Sequence, residues 1–119
     1  MKTLVLLPCL LLFSGLFFGQ DDILVPFTNY AQCTHGLKTK SGKVIWRAEF
    51  EVLQEARFRS TKYEKPFWLV QRGTEWGVLA PSGKILVPIV YKSVMMGYDL
   101  ELFAAFSDSG AVVYNSAGT

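Results

Sequence analysis

The chain has 119 residues, half of them hydrophobic and 18% charged, with twelve Lys and Arg against ten Asp and Glu. That length holds a single small domain with room for one modest core. A charge so close to balance supplies no field to draw in nucleic acid or anionic lipid, so neither is expected as a partner.

The first twenty residues set compartment before fold. Lys2 is followed by an apolar run from Leu4 to Phe18, broken only by Pro8, Ser14 and Gly15, and then by Gly19 and Gln20 ahead of Asp21-Asp22. A charged start, an apolar middle and a small residue at the exit make a secretory signal over residues 1–20, with the working domain at 21–119. The apolar stretch is shorter than the roughly 20 residues a membrane-spanning helix needs, so no stable anchor is expected after cleavage. The implied location is secreted or periplasmic. All ten acidic residues follow the leader while Lys2 departs with it, which leaves eleven basic residues against ten acidic ones, a net charge of +1. Cys9 departs too, so Cys33 stands alone and an internal disulfide is excluded.

Internal repetition organises the rest. The segment from Gly36 to Ile45 aligns without gaps on Gly77 to Leu86, forty-one residues on, with Gly36/Gly77, Ser41/Ser82, Gly42/Gly83 and Lys43/Lys84 identical and Phe50 falling on Tyr91. A looser third copy places Val112 to Gly118 on Gly77 to Gly83, thirty-five residues on, and Leu102-Phe103-Ala104-Ala105 on Phe67-Trp68-Leu69-Val70. The units run over about 25–60, 61–98 and a partial 99–119, stopping where the next strand would begin.

Within the second unit, Phe67 to Val70 and Trp76 to Leu79 are short aromatic and aliphatic runs separated by the polar, glycine-bearing Gln71 to Glu75, the signature of a β-hairpin. Ala80-Pro81-Ser82-Gly83 then reads as a turn into Ile85-Leu86-Val87, which Pro88 either ends or marks as an edge strand. Ala48, Val52, Leu53 and Ala56 could share a helical face, but the matching Ile89 to Val94 is rich in β-branched residues, so extended structure followed by a loop is expected in both units. Gly36, Gly42, Gly77 and Gly83 are expected as turn glycines at positive φ.

The run Trp76-Gly77-Val78-Leu79-Ala80-Pro81-Ser82-Gly83-Lys84-Ile85-Leu86-Val87-Pro88-Ile89-Val90-Tyr91 resembles a WG repeat, the bacterial tandem module also called KWG. The first unit departs from that pattern with His35 in the tryptophan slot and Arg47 in the proline slot, and the third lacks the Trp-Gly dipeptide. The resemblance implies an interaction or scaffold module with no common reaction. It also makes Gly36, Gly42, Lys43, Trp76, Gly77, Gly83, Lys84, Pro88 and Tyr91 structural residues of the motif.

Other constellations are weaker. Cys33 and His35 are too few to hold zinc or copper, so no metal and no cofactor are expected, and His35 reads as a core residue in place of Trp76. Glu49, Glu51, Glu55 and Glu64 could supply a pair of catalytic carboxylates only if a cleft held two of them across a substrate. The rival function, a small extracytoplasmic hydrolase or an accessory domain of one, rests on them and on His35. Arg57, Arg59, Lys62 and Lys65 lie among Phe58, Tyr63, Phe67 and Trp68, which makes Arg57, Arg59, Tyr63 and Trp68 the candidate binding surface, with Trp46 and Tyr98 as further aromatic contacts. The expected fold is all-β, tandem antiparallel β-hairpin repeats in a short solenoid-like array. Its expected role is non-enzymatic, binding a protein or cell-envelope component; the apolar edge at Val112 to Tyr114 is expected to continue into further repeats of a longer protein, with completion by a partner or by self-association as the alternative.

Overall fold

The computed structural model describes residues 23–58, 65–97 and 100–117. The proposed signal at 1–20, Arg59, Lys62, Tyr63, Glu64, Tyr98 and Gly118 lie outside these. Among the described residues ten strands follow one another: β1 (Leu24–Asn29), β2 (Thr34–Thr39), β3 (Val44–Phe50), β4 (Val52–Ala56), β5 (Phe67–Arg72), β6 (Glu75–Leu79), β7 (Ile85–Tyr91), β8 (Ser93–Gly97), β9 (Leu102–Ser107) and β10 (Gly110–Asn115). They form three antiparallel sheets in the orders β1-β2-β3, β4-β5-β6-β7 and β8-β9-β10. The chain is all-β, built of tandem hairpins. The region from Ala48 to Phe58 is extended, as its β-branched counterpart implies.

Local chemistry accounts for the turns. Gly73 opens the two-residue loop between β5 and β6 at φ +67°, the conformation a tight hairpin asks of its first loop residue. Between β2 and β3 the Gly42 N–H donates to the Thr39 carbonyl at 3.0 Å and the Thr39 N–H to the Lys43 carbonyl at 2.8 Å. Ala80, Gly83 and Lys84 repeat both bonds at 2.8 Å between β6 and β7. Gly42 and Gly83 hold φ +105° and +93°, as expected of turn glycines.

Gly36 and Gly77 differ from that expectation: they sit inside β2 and β6, buried, and not at positive φ. Each faces a bulge. His35 pairs with Phe50 and Leu37 with Trp46, so the bulged strand has two residues too many, and Trp76/Tyr91 with Val78/Val87 reproduces the same slip. The bulge presses backbone onto the glycine. A Cβ on Gly77 would lie 2.7 Å from the Val87 carbonyl oxygen, and one on Gly36 would collide with the matching Trp46 carbonyl. Pro88 does not end its strand either. β7 runs on through it to Tyr91 as a sheet edge, where a missing N–H is tolerated at a bulge.

The sheets are linked by corners. Only Glu51 separates β3 from β4 and only Lys92 separates β7 from β8, so one extended segment leaves a sheet and enters the next. The Glu51 N–H donates to the Gln71 carbonyl at 2.9 Å and the Lys92 N–H to the Phe106 carbonyl at 2.8 Å. Side chains repeat the link with different chemistry. The Glu51 carboxylate accepts the Gly73 N–H at 2.7 Å, while the Lys92 ammonium meets Asp108, which occupies the place of Gly73, at 2.7 Å.

Two cores result rather than the single one that length suggests, one on each face of the four-stranded sheet. The first gathers Leu24, Leu37, Phe50, Trp68, Val70, Leu79 and Ile89, with Trp46 and Leu53 against it. The second contains Val78, Val87, Phe103 and Ala105, with Tyr91, Val94 and Tyr114 against it. These are the counterparts of Leu37, Trp46, Trp68, Val70, Phe50, Leu53 and Leu79 at the sequence offsets. Each fully buried aliphatic or aromatic side chain contributes on the order of 1.5–3 kcal/mol.

Trp46 clasps the two units. Its indole N–H donates to the Gly83 carbonyl at 2.6 Å, and a Cβ on Gly83 would lie 2.9 Å from Ile45 Cγ2 and 3.2 Å from Leu24 Cδ1. Gly42 has nothing within 4 Å of that position. Gly42→Ala should therefore cost about 1–2 kcal/mol from the backbone alone, and Gly83→Ala at least about 1 kcal/mol more, as paired denaturant titrations would measure.

The second core ends in a tyrosine pair. The Tyr91 and Tyr114 hydroxyls lie 2.5 Å apart, with their rings edge to face at 6.1 Å between centroids. The bond to Tyr91 comes first in holding the Tyr114 hydroxyl above its ordinary pKa, with burial and the Tyr91 charge adding to it. The folded state thus prefers neutral Tyr114. Its stabilisation is complete below the unfolded-chain value of about 10 and fades as pH rises through the higher folded value. Denaturation midpoints taken from pH 8 to 11.5 should fall at the alkaline end, and less steeply in Tyr114→Phe.

Candidate functional surface

The anticipated binding surface divides. Arg57 follows β4 and is exposed, its Nε 3.1 Å from a Glu55 carboxylate oxygen. Trp68 is a correction. It is only 2% exposed and packs in the first core, because alternation along β5 turns it away from the Leu69 side and into the space between sheets. Its indole Nε1 has no hydrogen-bond partner among the described residues. Trp46 is half-buried in its clasp on Gly83 rather than free for a ligand.

His35 is half-buried at the sheet surface rather than in the core, and its Nδ1 lies 3.0 Å from the Thr28 hydroxyl on the neighbouring strand. Trp76 occupies the same half-buried position. Lys43 and Lys84 are exposed in side chain and act in the turns through their carbonyls. Cys33 is exposed in the β1–β2 loop at φ +57°.

Of the carboxylates named for hydrolysis, Glu64 lies outside the described residues and the other three are structurally engaged. Glu49 bonds Arg72 at 3.1 Å and lies 3.9 Å from Arg47; Glu51 caps the Gly73 N–H; Glu55 meets Arg57. Among the described residues no three His, Cys, Asp or Glu converge as a metal site.

One concavity does involve the anticipated region. An open cleft of about 200 Å³ lies between the β4 and β8 margins of the second and third sheets. Leu69, Val94, Met96 and Phe103 give it apolar walls, and Gln54 with the Glu55–Arg57 ion pair gives it a polar lip. Of the residues singled out from sequence as a binding surface, Arg57 reaches it. Val94 and Met96 carry no binding signature in sequence, since the cleft exists only because the third sheet stacks on the second.

Compared with known proteins, the chain matches no family model, no curated protein and no solved structure. The strand registers recur at the offsets of the internal sequence repeat.

Proposed function

We propose that the protein is an exported, non-enzymatic binding or scaffold module of WG-repeat type, acting outside the cytoplasm on a protein or cell-envelope partner through the cleft between β4 and β8. The observation that carries this reading is the recurrence of one inter-sheet joint. Bulge, turn, corner bond and core positions return at the same offsets, and the second joint opens into a cleft. A rigid stack with an apolar-walled, polar-lipped groove suits a partner that inserts an apolar group flanked by hydrogen-bonding atoms. The leader from Met1 to Gln20 supports export.

The test is cross-linked capture from envelope extract with the unaltered chain, Arg57→Glu and Met96→Ala, using Lys43→Ala as the surface control. A partner lost with both cleft variants and kept by the control supports the reading. Turnover of a glycoside or peptide substrate abolished by Glu55→Gln would replace it with the hydrolase alternative.

A further inference from the structure

We infer that the outer face of the third sheet is a self-association surface, on which two copies stack β8-β9-β10 against each other across a two-fold axis. The argument begins with alternation. Phe103 and Ala105 of β9, Val94 and Met96 of β8 and Tyr114 of β10 belong to the second core, so Met95, Ala104 and Val113 lie on the opposite face. Those three form one cross-strand row, Met95 pairing with Ala104 and Ala104 with Val113. The same holds for the rows above and below it, and every position of this face is uncharged.

In the other two sheets the corresponding face is the one the chain covers with its next sheet. Val78 and Leu69 hold the place of Val113 and Ala104 in the middle sheet and pack in the second core, and Leu37 holds it in the first. In the third sheet Met95 is 64% exposed and Val113 55%. Contiguous exposed apolar surface on a small protein marks an interaction site.

Two candidate occupants are excluded by chemistry. A copy stacking head to tail would have to present the outer face of the first sheet, where Lys38 pairs with Val25 and its ammonium sits 5.8 Å from the Phe27 ring centroid. That contact would bury an ammonium group against an uncharged face with no anion to meet it. A further unit built like the first two would need its bulged strand pressed onto β10. The position taken by Gly36 and Gly77 is Val112 there, whose side chain blocks the approach that even a Cβ would block at Gly77.

What fits an uncharged, apolar three-stranded face is the same face of another copy, in the isologous arrangement a two-fold axis provides. The face measures roughly 14 by 18 Å, from strand spacing and rise, so the dimer should be weak and concentration-dependent.

Sedimentation velocity on the chain as it accumulates after export, from about 1 to 500 µM, should show reversible monomer–dimer exchange. Val113→Lys and Met95→Lys, both at exposed positions, should each weaken it at least tenfold while leaving the far-ultraviolet circular dichroism and the melting temperature close to those of the unaltered chain. A monomer throughout that range would overturn the inference. So would a dimer indifferent to both lysines but lost with Val112→Pro, which would place the contact on the backbone edge of β10. The inference shares with the proposed function only the stacked architecture. Because cleft capture can be repeated on the Val113→Lys chain, failure of either leaves the other measurable.

Discussion

Gly77→Ala is expected to destabilise the chain by about 3 kcal/mol or more. The cause is not backbone conformation, since Gly77 does not hold a positive φ. Its absent side chain is the floor on which the β7 bulge rests: a Cβ would meet the Val87 carbonyl oxygen at 2.7 Å, Ile89 Cγ1 at 2.7 Å and Ile89 Cα at 2.8 Å. Two of those atoms are backbone and cannot rotate away. Relief would require β7 to leave β6, taking Ile89 out of the first core and Val87 out of the second. Gly73→Ala is the appropriate contrast, because Gly73 holds φ +67° in open space and should lose only about 1–2 kcal/mol. Guanidinium titrations followed by tryptophan fluorescence would measure both. A cost below 1 kcal/mol for Gly77→Ala would show that the bulge can move, and that the glycine is not what sets it.

Trp68→Ala should cost about 3–5 kcal/mol, while Trp68→Phe should stay within about 1 kcal/mol of the unaltered chain. Trp68 is almost wholly buried among Leu37, Phe50, Val70 and Leu79, so truncation leaves a large cavity between two sheets. Phenylalanine gives up part of the ring but also removes the indole N–H that has no partner among the described residues. The third unit already uses that solution. Phe103 holds the equivalent place in the second core, stacked within 5.6 Å of Phe67 and 5.3 Å of Phe58 by ring centroids. A Trp68→Phe chain as unstable as Trp68→Ala would mean that the indole makes an interaction essential to the joint. Retained stability with lost capture would instead return Trp68 to the binding surface.

The repeat was legible because identical physical demands recur at fixed separation. A turn that needs Gly at positive φ leaves Gly at both Gly42 and Gly83, and a strand that needs an aliphatic facing the next sheet leaves one at both Leu37 and Val78. β1 left no such mark: Pro26, Phe27 and Thr28 share no residues with Leu69, Val70 and Gln71, although the two strands pair with β2 and β6 in the same way. The corner also escaped sequence reading, because Glu51 and Lys92 make the same connection with opposite charge.

The binding surface was the least legible part. Arg57 and Trp68, close in the chain, do not share a surface: Arg57 is exposed while Trp68 is buried in the first core, because neighbours along a strand alternate between faces and the even or odd choice is fixed by packing. Composition, hydrophobic alternation and turn chemistry by themselves determined an all-β chain of tandem hairpins, since these are local demands that each residue satisfies with its near neighbours. Which face of each hairpin is covered, why Gly36 and Gly77 must lack a side chain, and where a cleft opens were decided only by the stacking of one sheet on the next, because those properties belong to contacts between residues that the sequence does not place together.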